Sequence, residues 1–548
     1  MQKKIKILDC FGFLSYATDI MRKNSAFLFV FLLLPAAFVA SASTASAAAT
    51  ERRLVVSFAG TTVDFHPHKT YSSLEAQLFT AIYEGLVSYN PFTLEPVPAV
   101  ARYWDVLNGG TLYRFHIRES ARYWNGDPVK ASHFRNAWLA LLDPAAQAPY
   151  SSLLDIVKGA YEYRTGKTKD PETVGIRVNT EDVLEVELTH PAEHFLKILC
   201  HHSFVPIHPD FLGKADWSQE ASIPGNGPFY LTERTKDGFI LSRNNLYWDR
   251  KNVALPGIEV IFSDDDTAVA SGFNEGRIHW AANGFSIDSL KNRDFLMVNT
   301  MFSTNYFFFT CKKAPLSDPE VRKALALLIP WNEVRSQDYM LLPTSVLVPA
   351  LPGYPKLTGI TETNTALALE ILASRGFIKG KTLAIDAEPV IKVPIGEESL
   401  RVANLIKKAW EDALGISVTV KQYDYREYYA ELKKDDYAVG TLTWIGDFAD
   451  PLTFLQMWTT DSNLNDAGFS DAEFDRLIDQ TMSLKGQERY TALGKAESIL
   501  LNTGTVLPIS HSPAFNIVNI DEIEGWFPNP LDIHPFKYMR FIEAQLPK

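Results

Sequence analysis

The sequence predicts an α/β protein built from more than one lobe, and three observations support this fold class. The chain has 548 residues, which is too long for one ordinary domain. Its composition, with 46% hydrophobic and 22% charged residues, is typical of a folded globular protein. Between residues 383 and 444, strand-like and helix-like segments alternate, which predicts parallel strands with helices on the faces of their sheet.

This alternation also indicates where a ligand would bind. Trp444 and Asp447 lie at and just past the end of the last predicted strand, and ligands of such sheets bind beyond the carboxyl ends of the strands. The predicted order is strand Leu383 to Asp386, helix Ser399 to Leu414 (stopped by Gly415), strand Ile416 to Gln422, helix Arg426 to Lys434 and strand Tyr437 to Trp444.

Hydrophobic periodicity and capping residues predict the other elements. The expected strands are Leu54 to Phe58, Leu112 to Ile117, Val183 to Leu188, Phe229 to Thr232 and Ile258 to Phe262. The expected helices are Ser72 to Leu86, Ala131 to Leu142, Glu320 to Ile329, Thr365 to Arg375, a helix from a Ser470–Glu473 capping box to Leu484, and Gln487 to Leu501.

The N-terminus is typical of a secretory signal peptide. Arg22 and Lys23 precede an apolar run, 26–40, and small residues follow it up to position 49. Cleavage after Ala42 or Ala47 fits this pattern, and no cysteine follows the run as a lipid-attachment site. A membrane anchor is the alternative, although the run is shorter than the roughly 20 residues that a membrane span needs. We therefore expect a soluble, exported protein of residues 51–548, translated from Met1 or Met21.

Charge and cysteine content narrow the function further. The net charge of −12 makes binding to nucleic acid or to an anionic membrane surface unexpected. Cys200 and Cys311 would enter an oxidising compartment, where they either pair or remain two free thiols. The sequence contains no G-x-S-x-G, H-E-x-x-H or P-loop motif, so we expect no enzyme and no catalytic residue.

The segment from Trp444 to Trp458, WIGDFADPLTFLQMW, contains an acid among aromatic residues. Asp450 and Pro451 are expected to begin a helix, because Asp caps free N–H groups and Pro fits the first turn. Asp447 precedes that helix, and a partly desolvated carboxylate there suits an ammonium group. The alternative is a solvated turn acid beside core aromatic residues.

Several segments, in order, resemble the family 5 extracellular solute-binding proteins, which are the oligopeptide- and dipeptide-binding receptors of ABC importers. The most specific is PAVARYWDVLNGGTLYRFHIRESARYWNGDPV, residues 98–129. The others are AIYEGL at 81–86, GNGPFYL at 225–231, NNLYW at 244–248, FNEGRI at 273–278, Asn305 with SDPEVRKAL at 317–325, and DFADPLTF at 447–454.

The resemblance implies a periplasmic-binding-protein-like fold, with two main lobes joined by a hinge and an inserted third lobe. Lobes I and III would close on a ligand through two or three crossing strands. Lobe I would comprise 51–95, 216–305 and 520–548, lobe II would be the insertion 96–215, and lobe III would be 306–519.

The resemblance also implies a ligand-binding role for the acid of the W-x-x-D motif, here Asp447, which would hold the α-ammonium of a peptide. The peptide main chain would bind as an added strand. The expected ligand contacts are Asp447, Trp444, Gly446, Phe448, Glu84, Asn305 and Tyr306, with no metal or cofactor; for Glu84, packing at the edge of the core is the alternative.

The chain departs from this pattern at the residues that would bind the C-terminal carboxylate of the peptide. Related receptors carry arginine for the ligand carboxylate at the positions of Thr441 or Leu432, and neither residue is basic here. Lys433 and Lys434 are close, but lysine does not reproduce a forked arginine contact. Either the peptide is longer and its C-terminus is held elsewhere, or the ligand lacks a carboxylate there, so peptide length stays open.

The expected partners are oligopeptides and the permease subunits of an ABC importer, and we expect a periplasmic monomer. A receptor for a nickel chelate or haem is an alternative, because Cys200, His201, His202 and His208 are potential metal ligands, although their spacing is irregular. A secreted peptidase and a chaperone-like or signalling role of the same cleft are further alternatives.

Overall fold

The computed structural model describes residues 52–60, 63–70, 72–214, 216–217, 220, 222–336, 342–379, 382–383 and 388–543. Residues 51–548 form one compact unit. The predicted signal peptide lies outside the described residues. Within these residues, no helix is both long and apolar enough to cross a membrane.

The first sheet has seven strands around Leu54–Phe58, which pairs in parallel with Gly257–Phe262 on one side and Trp280–Ala282 on the other. This central strand is almost entirely buried, which explains its run of apolar residues, LVVSF. The strand order is Leu296–Thr300, Pro513–Val518, Trp280–Ala282, Leu54–Phe58, Gly257–Phe262, Gly238–Arg243 and Phe229–Thr235.

The second sheet has six strands and contains the predicted alternation. Its order is Leu342–Pro343, Val506–His511, Ser303–Phe309, Val439–Ile445, Val390–Pro394 and Thr419–Tyr423. The last three strands are parallel, whereas Ser303–Phe309 runs antiparallel to Val439–Ile445, so the sheet is mixed. The crossover helices Glu397–Leu414 and Tyr425–Leu432 confirm two predicted elements, and Gly415 caps the first at φ 61°.

The first strand of that alternation was predicted in the wrong place. The sheet uses Val390–Pro394. Leu383, the described residue of the predicted segment, belongs instead to Thr382–Leu383, which forms a separate short ribbon with Ile378–Lys379. Residues 384–386 lie outside the described part of the chain. Lys392 interrupts the apolar pattern that would have predicted this strand. Its side chain is nevertheless buried, and its ammonium donates a hydrogen bond to Glu431 at 2.9 Å.

The third sheet confirms the alternating strands of the insertion. Its order is Ala101–Leu107, Leu112–Ile117, Val183–Glu187 and Ile176–Thr180, all antiparallel. The helix Ala131–Leu142 has the predicted bounds, and its apolar face is buried against this sheet. Two short ribbons pair Val87–Tyr89 with Pro96–Pro98 and Ile523–Glu524 with Arg540–Phe541.

Most of the other predicted helices are present with shifted ends. The first helix stops at Ile82, four residues before the predicted end, because Tyr83 turns to extended geometry. Asp471, rather than Ser470, caps the helix Ala472–Ser483. The remaining helices are Ser73–Ile82, Ala160–Arg164, Phe195–Ile198, Asp266–Asn274, Pro319–Leu327, Trp331–Val334, Thr365–Ser374, Leu452–Leu455 and Gly486–Asn502.

Two short connections join the first and second sheets. Leu296–Thr300 leads into Ser303–Phe309, and Val506–His511 leads into Pro513–Val518. The connections touch, because the Ser303 hydroxyl donates to the Ser512 carbonyl at 3.1 Å. They are the expected place for a hinge. The lobe boundaries stay a proposal, and sheet membership favours a change from lobe III to lobe I before Pro513 rather than after residue 519.

Cys200 and Cys311 are both free thiols. Each is partly buried rather than fully buried. Burial raises the pKa of both thiols, which lowers their tendency to react as thiolates.

Candidate functional site

A cavity of about 280 Å³ lies between segments that flank the three larger sheets. Its wall includes the helix Ser73–Ile82 and the residues up to Tyr89, parts of the insertion around Tyr150 and His201, and the last strand of the predicted alternation. The segments 463–466 and 531–537 complete it. This wall is assembled from distant parts of the chain.

Asp447 lies on this wall, in the loop after Val439–Ile445, and its side chain is 10% exposed. The Thr453 hydroxyl donates to Oδ2 of Asp447 at 3.1 Å and accepts from the Asp447 N–H at 2.9 Å. The Tyr150 hydroxyl also hydrogen-bonds the carboxylate. The Tyr89 hydroxyl donates to the main-chain oxygen of Asp447 at 2.7 Å. The loop therefore fixes the acid toward the cavity rather than toward bulk solvent.

The electrostatic environment of Asp447 favours the binding of a cation. Burial raises its pKa to about 7, although the hydrogen bonds from Thr453 and Tyr150 act in the opposite direction. His201 Nε2 lies 3.6 Å from Oδ1, but burial lowers the pKa of His201 to about 3. Burial also lowers the pKa of His202. At neutral pH both imidazoles are uncharged, so a ligand cation would supply the missing positive charge.

The strand leading to Asp447 presents main-chain groups to the cavity. Val439–Ile445 pairs with Ser303–Phe309 on one side, and on the other side Val390–Pro394 pairs with it only at Val439. The Tyr428 hydroxyl bonds both the N–H and the C=O of Thr441 at 2.8 Å, so these groups point away from Ser303–Phe309. Because alternate residues of a strand point their main-chain groups the same way, Thr443 and Ile445 present theirs to this edge. Both residues line the cavity.

Glu84 also lines the cavity, but its carboxylate already has partners. The Tyr247 hydroxyl and the Trp248 indole N–H, the latter at 2.5 Å, donate to its two oxygens. The ammonium of Lys537 lies 3.6 Å away. These contacts support the alternative that Glu84 has a packing role at the edge of the core.

The structure brings together four of the seven predicted contact residues: Glu84, Trp444, Gly446 and Asp447. Trp444 is held by a 3.0 Å bond from its indole to the Thr453 carbonyl. Gly446 is needed because a Cβ there would lie 2.6 Å from the Phe302 ring.

The other three predicted residues, Asn305, Tyr306 and Phe448, do not lie on the cavity wall. Phe448 and Tyr306 are fully buried side chains that do not line the cavity. Tyr306 packs behind the wall against Met457, and Asn305 lies within a strand pair outside the wall. Asn305 and Tyr306 belong to the strand Ser303–Phe309, and Phe448 lies in the loop after Val439–Ile445. Their ligand contacts, which the resemblance implied, stay predictions.

The insertion also contacts the segment 461–463 directly. The Tyr161 hydroxyl donates to Asp461 Oδ2 at 2.6 Å, and the Arg164 guanidinium donates to the Asp461 carbonyl at 2.8 Å. The Asn463 amide donates to the Ala148 carbonyl at 3.1 Å and to the Ser151 hydroxyl at 3.0 Å. These contacts hold the two sides of the cavity together.

Comparison with known proteins agrees with this architecture. Residues 95–466 match the profile of the bacterial extracellular solute-binding proteins, family 5. The chain belongs to this family.

Individual relatives match this chain over most of the length of both proteins. The oligopeptide-binding protein OppA of Bacillus subtilis is 27% identical over 463 residues, which cover 81% of this chain and 84% of OppA. The murein tripeptide binding protein MppA of Escherichia coli superimposes with a TM-score of 0.81 at 22% identity, covering 90% of this chain and 99% of MppA. OppA of Haemophilus influenzae, in complex with the peptide RPPGFSPFR, gives 0.80 at 23% identity, with 90% and 99% coverage. At these identities the structural likeness shows the fold.

Sequence reasoning missed several wall residues of this family 5 protein, above all Tyr150, His201 and His202. They reach Asp447 from the insertion, about 250–300 residues away along the chain, and no local pattern predicts that approach. The Cys200-His201-His202 run was noticed only as a potential metal site. Within the described residues, no group of three or more potential ligands could hold a metal ion, and His208 instead bonds Asp127 at 2.9 Å.

Proposed function

We propose that this family 5 protein is the substrate-binding protein of an ABC importer, which captures oligopeptides in the cavity and delivers them to a membrane permease. The observation that carries the proposal is the buried carboxylate of Asp447, which lies at the end of a strand with an open edge and, among the residues that the structure describes, faces only the uncharged His201 at ion-pair distance. The names of OppA and MppA, which bind peptides, support the same ligand class.

A peptide has complementary groups for both features. Its α-ammonium would pair with Asp447, beneath Tyr150 and His201. Its main chain would hydrogen-bond to Thr443 and Ile445 as an added strand. Such main-chain bonds do not depend on side-chain identity, so the receptor would accept many peptide sequences.

Ligand capture would couple to closure about the two connections at 301–302 and 512. Tyr150 approaches Asp447 from the insertion, and the Tyr161, Arg164 and Asn463 bonds join the same two sides. A ligand that touches both sides favours the closed arrangement by its differential contacts. Closure would cover the ion pair with Asp447 and strengthen it, because water is excluded.

The remaining expectations complete the proposal. The predicted signal peptide would direct the mature protein to the periplasm, where it would act as a monomer with the permease and without nucleic acid. The cavity would bind peptides without cleaving them. Neither a metal nor a cofactor takes part in the proposed binding.

Native mass spectrometry of the purified protein tests this function. We expect peptides to copurify with it, and a peptide mixture added to emptied protein to raise its melting temperature, because ligand binds the folded state alone. The added peptides should be recovered intact. Fragmentation of these peptides would favour a peptidase, and the absence of any bound or stabilising peptide would overturn the proposal.

The affinity for a peptide should depend on pH through Asp447. Below pH 7 the empty site is protonated, so binding an ammonium must release that proton, and affinity should fall about tenfold per pH unit. Above about pH 8 the peptide amino group loses its charge, and affinity should fall again. The pKa values of His201 and His202 lie too low to contribute. Calorimetry from pH 5 to 9 checks this profile, and an N-acetylated peptide, as control, should lack the acid limb.

A further inference from the structure

Tyr161 and Arg164 of the insertion contact Asp461 at a place outside the cavity wall. The Tyr161 hydroxyl donates to Asp461 Oδ2 at 2.6 Å, and the Arg164 guanidinium donates to the Asp461 carbonyl at 2.8 Å. These two hydrogen bonds are called the latch below. Because none of the three residues lines the cavity, no ligand is needed to complete either bond. The latch is therefore available to the unliganded protein.

The insertion orients both donors of the latch. The Arg164 side chain is 5% exposed, and its guanidinium also donates to the two oxygens of Asp155, at 2.8 and 2.6 Å. The Lys167 ammonium donates to the Tyr161 hydroxyl oxygen at 3.0 Å. An ammonium cannot accept a hydrogen bond, so the single hydroxyl proton of Tyr161 is directed at Asp461. Side chains that are held in place in this way lose less entropy when the contact forms.

The segment that carries the latch acceptors continues into the cavity wall. Asn463 lines the cavity, and its amide donates to the Ala148 carbonyl at 3.1 Å and to the Ser151 hydroxyl at 3.0 Å. These two acceptors flank Tyr150, which hydrogen-bonds the Asp447 carboxylate. Moving the segment 461–463 away from the insertion would therefore break the latch and disturb the Tyr150 contact at the same time.

We propose that the latch holds the cavity closed in most of the unliganded protein, so that contacts remote from the ligand set part of its affinity. The apparent affinity of a ligand is reduced by the fraction of the protein that is not in the binding-competent state. A closed state that is already populated removes most of this reduction, and a bound ligand leaves only after the latch opens. The inference goes beyond the proposed function, because it concerns the opening of the cavity and not the identity of the ligand.

The two free thiols provide a native assay of opening. Cys200 lines the cavity, whereas Cys311 lies outside its wall. Iodoacetamide alkylates a thiol only when the reagent can reach it, so the rate at Cys200 follows the population of the open form when closing is faster than alkylation. Peptide mass spectrometry measures the two rates separately, at pH 8, in protein emptied of its ligand.

Tyr161→Phe is expected to raise the alkylation rate of Cys200 by about threefold to tenfold. The substitution removes the 2.6 Å bond to Asp461 and keeps the ring, and this range corresponds to the loss of one hydrogen bond from the closed state. The rate at Cys311 should not change. Asp461→Ala removes the other partner of the same bond, so the double variant should react no faster at Cys200 than the faster of the two single variants.

Tyr163→Phe is the matched control. It removes a hydroxyl from the same helix, Ala160–Arg164, and among the described residues the Tyr163 hydroxyl has no hydrogen-bond partner in the segment 461–463. This variant should keep the wild-type rate at Cys200.

Three results would overturn the latch. The first is an unchanged Cys200 rate in Tyr161→Phe, which would show that the bond does not hold the cavity closed. The second is an equal acceleration at Cys200 and Cys311, because it would indicate loosening of the whole fold. The third is an equal acceleration in Tyr163→Phe. Because the measurement uses no peptide, none of these results depends on the proposed function.

Discussion

Replacing Asp447 with asparagine is expected to weaken peptide binding by at least tenfold. The substitution retains the size of the side chain and an oxygen for the Thr453 hydroxyl, but it removes the charge that would hold the ammonium. A buried charge-assisted hydrogen bond contributes roughly 1.5–3 kcal/mol, which corresponds to a factor of about 10 to 150 in affinity. Isothermal titration calorimetry at pH 7.5 with peptides that copurify with the wild-type protein measures the loss.

An N-acetylated peptide shows whether this loss comes from the ammonium contact. It should bind the wild-type protein weakly, and Asp447→Asn should change its affinity little, because the two changes remove the same contact. Equal losses for the free and acetylated peptides would contradict the assignment, and so would an unchanged affinity for the free peptide.

Unfolding of the variant would not explain the loss. Because the pKa of Asp447 is raised in the folded protein, ionisation of this acid costs stability as pH rises from about 4 to 7. Above pH 7 the full penalty is present, so the asparagine variant should melt at the same temperature or higher at pH 8.

The sequence predicts elements well where one local signal dominates. Ala131–Leu142 and Leu112–Ile117 have their predicted bounds, because helical or alternating periodicity is uninterrupted there. The strand Val390–Pro394 was missed because it contains a buried lysine. Lys392 is compatible with the core only through Glu431 and Asp436, which lie about 40 residues later in the chain. Local sequence cannot show that compensation.

The same limit applies to the site. Asp447 could be predicted because an acid at the end of a parallel strand has a known geometric meaning. The residues that bury it could not, because Tyr150 and His201 belong to a separate sheet region and meet the acid only in the folded protein. Burial in the folded protein, against the opposing hydrogen bonds from Thr453 and Tyr150, raises the pKa of Asp447 to about 7. The functional property thus depends on tertiary contacts rather than on the motif alone.

The helix after Asp447 is anchored by a buried ion pair that the sequence did not reveal. Asp450 accepts two bonds from Arg489, at 2.7 and 2.8 Å, and one from the Leu452 N–H at 2.9 Å. Both side chains are buried. Burial opposes ionisation of Asp450, but the charge and hydrogen bonds of Arg489 lower its pKa overall. The helix begins one residue later than predicted, at Leu452, with Pro451 rather than Asp450 as its N-cap residue. Asp450 still accepts from the Leu452 N–H and ties the binding loop to the helix Gly486–Asn502.

Replacing Arg489 with methionine is expected to lower the free energy of unfolding by about 3–5 kcal/mol at pH 7, because it leaves the buried Asp450 carboxylate without its partner. Urea denaturation followed by tryptophan fluorescence measures the loss. Arg476→Met is the matched control, because Arg476 forms an exposed pair with Glu473, and its effect on the free energy of unfolding should be much smaller. Similar losses for the two variants would contradict a special role for Arg489.

The pH dependence of the two proteins should separate this ion pair from ordinary packing. In the wild-type protein the lowered pKa of Asp450 contributes stability above about pH 4, and this contribution is lost as pH falls through the folded-state pKa. Without Arg489, burial raises that pKa, so protonation of Asp450 at acidic pH should relieve part of the penalty. The gap in stability between wild type and Arg489→Met should therefore narrow from pH 7 to pH 4.5. A constant gap would mean that lost packing, rather than an uncompensated charge, explains the effect of the substitution.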